Sequence, residues 1–134
     1  CNKTQNARCP HATLVSPISS YVKIAEDEAQ IVQNLATRGP LSVLVDASFL
    51  QFYSKGIWDP APGLFGCTDD GSDLDHAVLN VGYGHDAASG KDFYLVKNSW
   101  GEDWGMAGYV LWVRNETAKH GKGGACGINT AVTS

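Results

Sequence analysis

The sequence lacks any apolar run that approaches the roughly 20 residues a membrane-spanning helix needs. No signal peptide is visible, since residues 1–4 are polar and no apolar segment follows them. Residue 1 is not an initiating methionine, so we expect the start of the chain to be an internal or processed end. Basic clusters are also missing and the net charge is −4, which is atypical of nucleic-acid-binding proteins. These absences predict a protein that binds neither a membrane nor nucleic acid.

The residues that are present suit one globular unit. The chain has 134 residues, 43% of them hydrophobic, and residues 1–134 are expected to form a single unit. N-glycosylation sequons occur at Asn2 and Asn115. Together with an even number of cysteines, they favour a lysosomal, vacuolar or secreted protein. A cytosolic protein with four free thiols, Cys1, Cys9, Cys67 and Cys126, is the alternative.

Hydrophobic periodicity predicts an α+β protein. One main helix is expected at about 26–38, since acidic residues begin it, apolar residues recur on one face, and Arg38-Gly39-Pro40 ends it. A long glycine- and proline-rich loop is expected at 54–73. The predicted strands lie at 41–45, 77–83, 93–97 and 109–113, with a last short strand near Ile128. One helix against several antiparallel strands predicts a curled sheet.

His76 is the first candidate functional residue, because it lies where a loop enters a strand. An imidazole can take and return a proton near neutral pH. A single histidine is more often structural, and the other three histidines of the chain lie in polar loops. Asn98 and Trp100 follow downstream, and an asparagine amide can orient an imidazole while an indole excludes water from the pair. A core tryptophan cluster beside a tight turn is the alternative interpretation.

Several segments resemble one known family, the papain-like cysteine peptidases. The segments that resemble the family's His and Asn regions are Leu-Asp-His-Ala-Val at 74–78, Val-Gly-Tyr-Gly at 81–84 and Lys-Asn-Ser-Trp-Gly-Glu-Asp-Trp-Gly at 97–105. Segments 38–43, 108–110 and 125–130 also resemble the family, the last one most closely its cathepsin L- and F-like members. The resemblance runs from about residue 20 to residue 132. It implies the right-hand domain of the papain-like fold, with a curled antiparallel, barrel-like sheet.

The family's nucleophilic cysteine is missing from this sequence. No Cys-Gly-Ser-Cys-Trp segment occurs, and in such enzymes that cysteine and the glutamine of the oxyanion hole lie in an N-terminal half. The resemblance therefore implies the C-terminal half of a two-domain cysteine endopeptidase, inactive without its other half. The expected partners are that half, peptide or protein substrates and cystatin-like inhibitors. No cofactor is expected, and the scattered histidines and cysteines do not match the spacing of a metal site.

The resemblance also assigns roles to individual residues. It implies that His76 and Asn98 are catalytic and that Trp100 and Trp104 support them. Asp75 is expected to border the cleft. The residues expected to line the S2 pocket are Leu44, Leu74, Ala77 and Ala131, so an apolar P2 side chain should be preferred. For Leu44 and Leu74, plain core packing remains open.

The same resemblance implies a disulfide between Cys67 and Cys126. Cys9 is then expected to bridge to the missing half, although a local pair of Cys1 with Cys9 remains open. Two other functions also remain open. One is a non-catalytic relative in which the nucleophile is replaced, and the other is a processed fragment with a structural or binding role in a larger assembly.

Overall fold

A computed structural model describes residues 19–63 and 66–134. The predictions for Cys1, Asn2 and Cys9 lie outside the described residues and remain predictions. The elements in chain order are β1 (Lys23–Ile24), α1 (Glu28–Arg38), β2 (Leu41–Val45), β3 (Ile57–Trp58), β4 (His76–Asp86), β5 (Lys91–Lys97), β6 (Tyr109–Arg114), α2 (Thr117–His120) and β7 (Val132–Thr133). Short 3-10 turns occur at Leu50–Phe52 and Ala125–Gly127. In the described ranges, no helix has the length and apolarity needed to cross a bilayer.

The strands form one seven-stranded sheet in the order β1-β7-β2-β4-β5-β6-β3. The predicted α+β class is confirmed, but the sheet differs from the expected antiparallel barrel in two ways. The pair β3 and β6 is parallel, and over the described residues the strand order is open at both ends. β3 consists of two residues of the long 54–73 loop, and it pairs with the side of β6 that faces away from β5.

Helix α1 begins two residues later than predicted because Asp27 caps it. Asp27 has extended backbone angles, and its side chain accepts a hydrogen bond from the backbone N–H of Gln30 at 3.0 Å. Ile31 and Leu35 are buried on the inner face of the helix. The predicted end is confirmed, since the helix stops at Arg38 and Gly39 follows with a φ of 101°.

Strand β2 shows the alternation that places one face of the sheet in the core. Leu41, Val43 and Val45 are buried, whereas Ser42 and Leu44 are exposed. The largest fully buried side chain is that of Trp112 on β6. Its indole N–H donates to the carbonyl of Ala125 at 2.9 Å. This hydrogen bond joins the sheet to the 125–127 turn.

The last strand is not where the sequence predicted it. Residues 125–127 form a 3-10 turn in which Cys126 has a φ of 54°, and β7 follows at Val132–Thr133. β7 pairs with both β1 and β2. Because its partners are about 90 to 110 residues away in the sequence, a local pattern of two residues could not reveal it.

The prediction that His85 and His120 lie in polar loops is wrong, and His85 is part of β4. His120 ends α2 and is buried, with its Nδ1 2.8 Å from Asp69 Oδ2 and its Nε2 2.9 Å from Asp59 Oδ1. Burial by itself raises the pKa of Asp59, but hydrogen bonds from Lys119, Lys91 and His120 hold that pKa well below its usual range. The cluster ties α2 to the 54–73 loop.

Candidate functional site

The site forms where β4 begins and β5 ends. His76 is the first residue of β4 and pairs with Val45 of β2, and Asn98 follows the last residue of β5. Because β4 and β5 are antiparallel neighbours, the start of one lies beside the end of the other. This register brings His76 Nε2 to 2.8 Å from Asn98 Oδ1.

Hydrogen bonding determines which way each member of this pair is turned. Asn98 Oδ1 also accepts from the backbone N–H of Ser99 at 2.7 Å, and a backbone N–H can only donate. His76 Nε2 must therefore donate to the same oxygen, which leaves Nδ1 to accept or carry a second proton. Asn98 is buried, and its own backbone N–H donates to the carbonyl of Gly108 at 2.9 Å.

Trp100 covers the imidazole of His76. The two rings are stacked with centroids 4.9 Å apart and an interplanar angle of 27°. Trp104 supports Trp100 edge-on at 5.3 Å, and Tyr53 lies 5.6 Å from Trp104. With 41% of its surface exposed, Trp100 stacks on the His76 ring with one face and is open to solvent elsewhere.

An open groove lies in front of His76 and Trp100. Its other lining residues are Ala47, Ser48, Gln51 and Asp75. Asp75 Oδ1 accepts from the backbone N–H of Ala47 at 2.9 Å. Sequence reasoning missed Ser48 and Gln51, which lie three and six residues after the end of the strand that pairs with His76.

Three of the four residues expected to line the S2 pocket are neighbours but line two different grooves, namely Leu44, Ala77 and Ala131. Leu44 and Ala131 share an apolar groove that also includes Lys23, and the N–H of Leu44 donates to the carbonyl of Ala131 at 3.2 Å. Leu44 is 38% exposed, so it is not a plain core residue. Ala77 is opposite Leu44 across the β2–β4 pair and lines the neighbouring groove. Leu74 is half-buried beside Gly127.

The Cys67–Cys126 disulfide, which the resemblance implied, is present. Both cysteines are buried, and the bond joins the 54–73 loop to the 125–127 turn. Asp69 Oδ1 accepts from the N–H of Cys126 at 2.7 Å, which adds a hydrogen bond beside the disulfide. Neither cysteine in the described part of the chain is therefore available as a nucleophile.

The Asn115 sequon lies just after β6 on an exposed surface. The N–H of Asn115 donates to Glu28 Oε1 at 2.7 Å, and its side-chain amide donates to Asp92 Oδ2 at 3.1 Å. Glycosylation of Asn115 remains a prediction. No group of three or more His, Cys, Asp or Glu side chains within 19–63 and 66–134 is arranged to hold a metal ion.

Comparison with known proteins links this geometry to one family. A family model described as papain family cysteine protease matches residues 1–134. The chain is 43% identical over 123 residues to cathepsin L of Sarcophaga peregrina, covering 90% of this chain and 32% of that protein. It is 42% identical over 120 residues to procathepsin L of Rattus norvegicus, covering 86% and 32%. The chain thus spans about a third of the length of these relatives.

Solved structures show the same similarity in three dimensions. The digestive procathepsin L2 proteinase of Tenebrio molitor superposes with a TM-score of 0.74 at 36% identity, covering 89% of this chain and 34% of that one. The bromelain protease of Ananas comosus, solved in complex with the E64 inhibitor, superposes with a TM-score of 0.71 at 33% identity, covering 87% and 49%.

Proposed function

Because this chain belongs to the papain family of cysteine proteases, we propose that it supplies the catalytic histidine and asparagine of a thiol-dependent peptidase. The observation that carries the proposal is the 2.8 Å hydrogen bond from His76 to Asn98 beneath Trp100. In this proposal the nucleophilic cysteine and the oxyanion-hole glutamine belong to an N-terminal half. Peptide or protein substrates and cystatin-like inhibitors would approach the groove in front of His76. The sequons and the disulfide support a lysosomal, vacuolar or secreted location.

The proposed reaction uses His76 twice. A thiolate from the N-terminal half attacks the peptide carbonyl carbon, and His76 gives its Nδ1 proton to the amine nitrogen as the C–N bond breaks. His76 then takes a proton from water, which attacks the acyl-enzyme and releases the acid and the thiolate. A cysteine paired with an imidazolium has a pKa lowered to roughly 3–4. The ion pair would therefore persist in an acidic compartment.

A comparison of the 134-residue chain with the full-length protein tests whether the nucleophile belongs to the N-terminal half. The purified 134-residue chain is expected not to cleave a fluorogenic cathepsin substrate, because the proposal places the nucleophile outside it. The full-length protein should cleave the same substrate, and a thiol-alkylating reagent should stop it. Alkylation-sensitive hydrolysis by the 134-residue chain would contradict the proposal. A full-length protein with no peptidase activity would instead favour a non-catalytic relative or a structural fragment.

The apolar groove predicts the preference at P2. Leu44, Leu74, Ala77 and Ala131 carry no charge, and Lys23 adds a positive charge to the groove shared by Leu44 and Ala131. We expect Leu, Phe or Val to be favoured over Arg, measured as kcat/KM with a positional substrate library. Removing water from an arginine side chain against these apolar residues costs free energy, and none of the four residues offers a negative charge to offset that cost.

A charge-introducing variant sharpens this test. Ala131→Glu should raise kcat/KM for P2 Arg relative to P2 Leu, because the new carboxylate can pair with the guanidinium. Ala88→Glu adds the same charge in the exposed turn after β4 and should leave that ratio unchanged. Arg as the best P2 residue of the parent protein would show that the assignment of this pocket is wrong.

A further inference from the structure

Asp46 lies directly after β2 and is 3% exposed. We propose that Asp46 is a positioning residue of the proposed site. Its carboxylate fixes the end of β2, and the end of β2 in turn positions Asp75 and His76. The inference rests on the proposed function for its effect on turnover, but the geometry it concerns can be measured without activity.

The carboxylate of Asp46 accepts hydrogen bonds from two separate segments. Its Oδ1 accepts from the N–H of Ser48 at 2.9 Å and from the Ser48 hydroxyl at 2.5 Å. Its Oδ2 accepts from the N–H of Thr68 at 2.7 Å and from the Thr68 hydroxyl at 3.2 Å. The carboxylate therefore joins the turn after β2 to the residue next to the Cys67–Cys126 disulfide.

Neutral donors satisfy this buried anion. Burial by itself raises the pKa of Asp46, but the hydrogen bonds from Ser48 and Thr68 outweigh it and hold the pKa below its usual value. The side chain consequently stays ionised, with both oxygens accepting, under the mildly acidic conditions in which the proposed peptidase would work.

The residues on either side of Asp46 contact the segment that carries His76. The carbonyl of Val45 accepts from the N–H of Asp75 at 3.1 Å, and Val45 pairs with His76 across the sheet. On the other side, the N–H of Ala47 donates to Asp75 Oδ1 at 2.9 Å. A shift of the 45–47 backbone is thus transmitted to Asp75 and to the base of the His76 side chain.

The matched test is Asp46→Asn against Asp86→Asn. An asparagine at position 46 keeps the shape but turns an NH₂ group toward either the Ser48 or the Thr68 donors, so one side of the link is lost. Asp86, the last residue of β4, is the control, since its Oδ2 accepts from the N–H and hydroxyl of Ser89 at 3.0 and 2.5 Å, and Ser89 lies in the exposed turn that follows. The control variant removes the same type of contact without touching β2 or His76.

The measurements are made on the full-length protein. Asp46→Asn should lower kcat by about tenfold or more with a smaller change in KM, because small displacements of a reacting group are costly. Its ¹⁵N-histidine NMR spectrum should show a shifted or broadened His76 Nε2–H signal, identified by its absence in His76→Ala. Asp86→Asn should leave kcat within about twofold and the His76 signal unchanged.

The pH dependence of stability gives an independent test of the role of the Asp46 carboxylate. The pKa of the Asp46 carboxyl group is lowered in the folded state. Such a group stabilises the folded state when the pH is above the pKa of the unfolded chain, about 3.9. This stabilisation is lost as the pH falls through the pKa of the folded state. The deficit in melting temperature of Asp46→Asn should therefore be full above about pH 4 and shrink at lower pH. A deficit that stays constant below pH 3 would contradict the role of the ionised carboxylate.

The results separate a failure of this inference from a failure of the proposed function. An Asp46→Asn protein that melts earlier but keeps the parental kcat and His76 signal would overturn the positioning role. If the parent cleaves no peptide, the proposed function fails, and the NMR comparison alone decides the inference. If Asp46→Asn does not fold, Thr68→Val removes one contact, and an unchanged His76 signal in that variant would overturn it.

Discussion

Replacing His76 by alanine should lower the peptidase turnover of the full-length protein by roughly 100- to 10,000-fold, the usual contribution of general acid–base catalysis. In the proposed reaction, this imidazole carries the proton to the leaving amine and takes one from water. Its position against Asn98 and Trp100 leaves Nδ1 as the nitrogen that can do so. The measurement is kcat and kcat/KM with a peptide substrate containing an apolar P2 residue.

Asn98→Ala should reduce turnover less than His76→Ala does. In the proposed reaction Asn98 only orients the ring, and Trp100, which stacks on His76, would still restrain it when the amide is gone.

His85→Ala is the matched control for His76→Ala. His85 lies on the same strand and makes a 2.8 Å contact with Asp92, but it is exposed and remote from the groove. Turnover of this variant should stay within about twofold of the parent value. Equal turnover of His76→Ala and the parent protein would show that His76 is not catalytic.

Removing the Cys67–Cys126 disulfide should lower the free energy of unfolding by about 4 kcal/mol in the chain-entropy model. The two cysteines are separated by 59 residues, so the bond restricts a large loop of the unfolded chain. Alanine at both positions avoids leaving a free thiol or placing a hydroxyl in the core, where both side chains are buried. Denaturant unfolding of Cys67→Ala/Cys126→Ala and of the parent gives the difference.

The disulfide prediction has a chemical and a thermodynamic control. Non-reducing peptide mapping of the parent should find the Cys67 peptide joined to the Cys126 peptide. Added reductant should destabilise the parent more than the double variant, which no longer has this bond to lose. A free Cys67 peptide would contradict the disulfide itself. A double variant as stable as the parent would contradict its expected contribution to the free energy of unfolding.

Local signals in the sequence account for the parts of the site that were predicted. The segment around Asn98 is distinctive because asparagine, glycines and tryptophans occur together at the end of a strand, and His76 precedes an apolar strand. The distance between them depends on the register of β4 and β5, which shifts at an irregularity between Asn80 and Gly82. That shift is a property of the paired strands, so neither strand sequence alone specified it.

Asp46 and His120 show what a one-dimensional pattern misses. Each was unremarkable in the sequence, yet Asp46 receives hydrogen bonds from Thr68, and His120 lies between Asp59 and Asp69. Charged and polar residues in loops usually face solvent, so burial of these two depends on partners that are about 20 to 60 residues away.

The sequence by itself determined the features that depend on nearest neighbours. These are the end of α1 at Arg38-Gly39-Pro40 and the position of β2 at Leu41–Val45. Only the tertiary structure decided the place of β7 in the sheet, the orientation of the Asn98 amide and the open, mixed form of the sheet. The physical reason is that helix caps and strand alternation arise within a few residues, whereas strand pairing and buried hydrogen bonds join segments far apart along the chain.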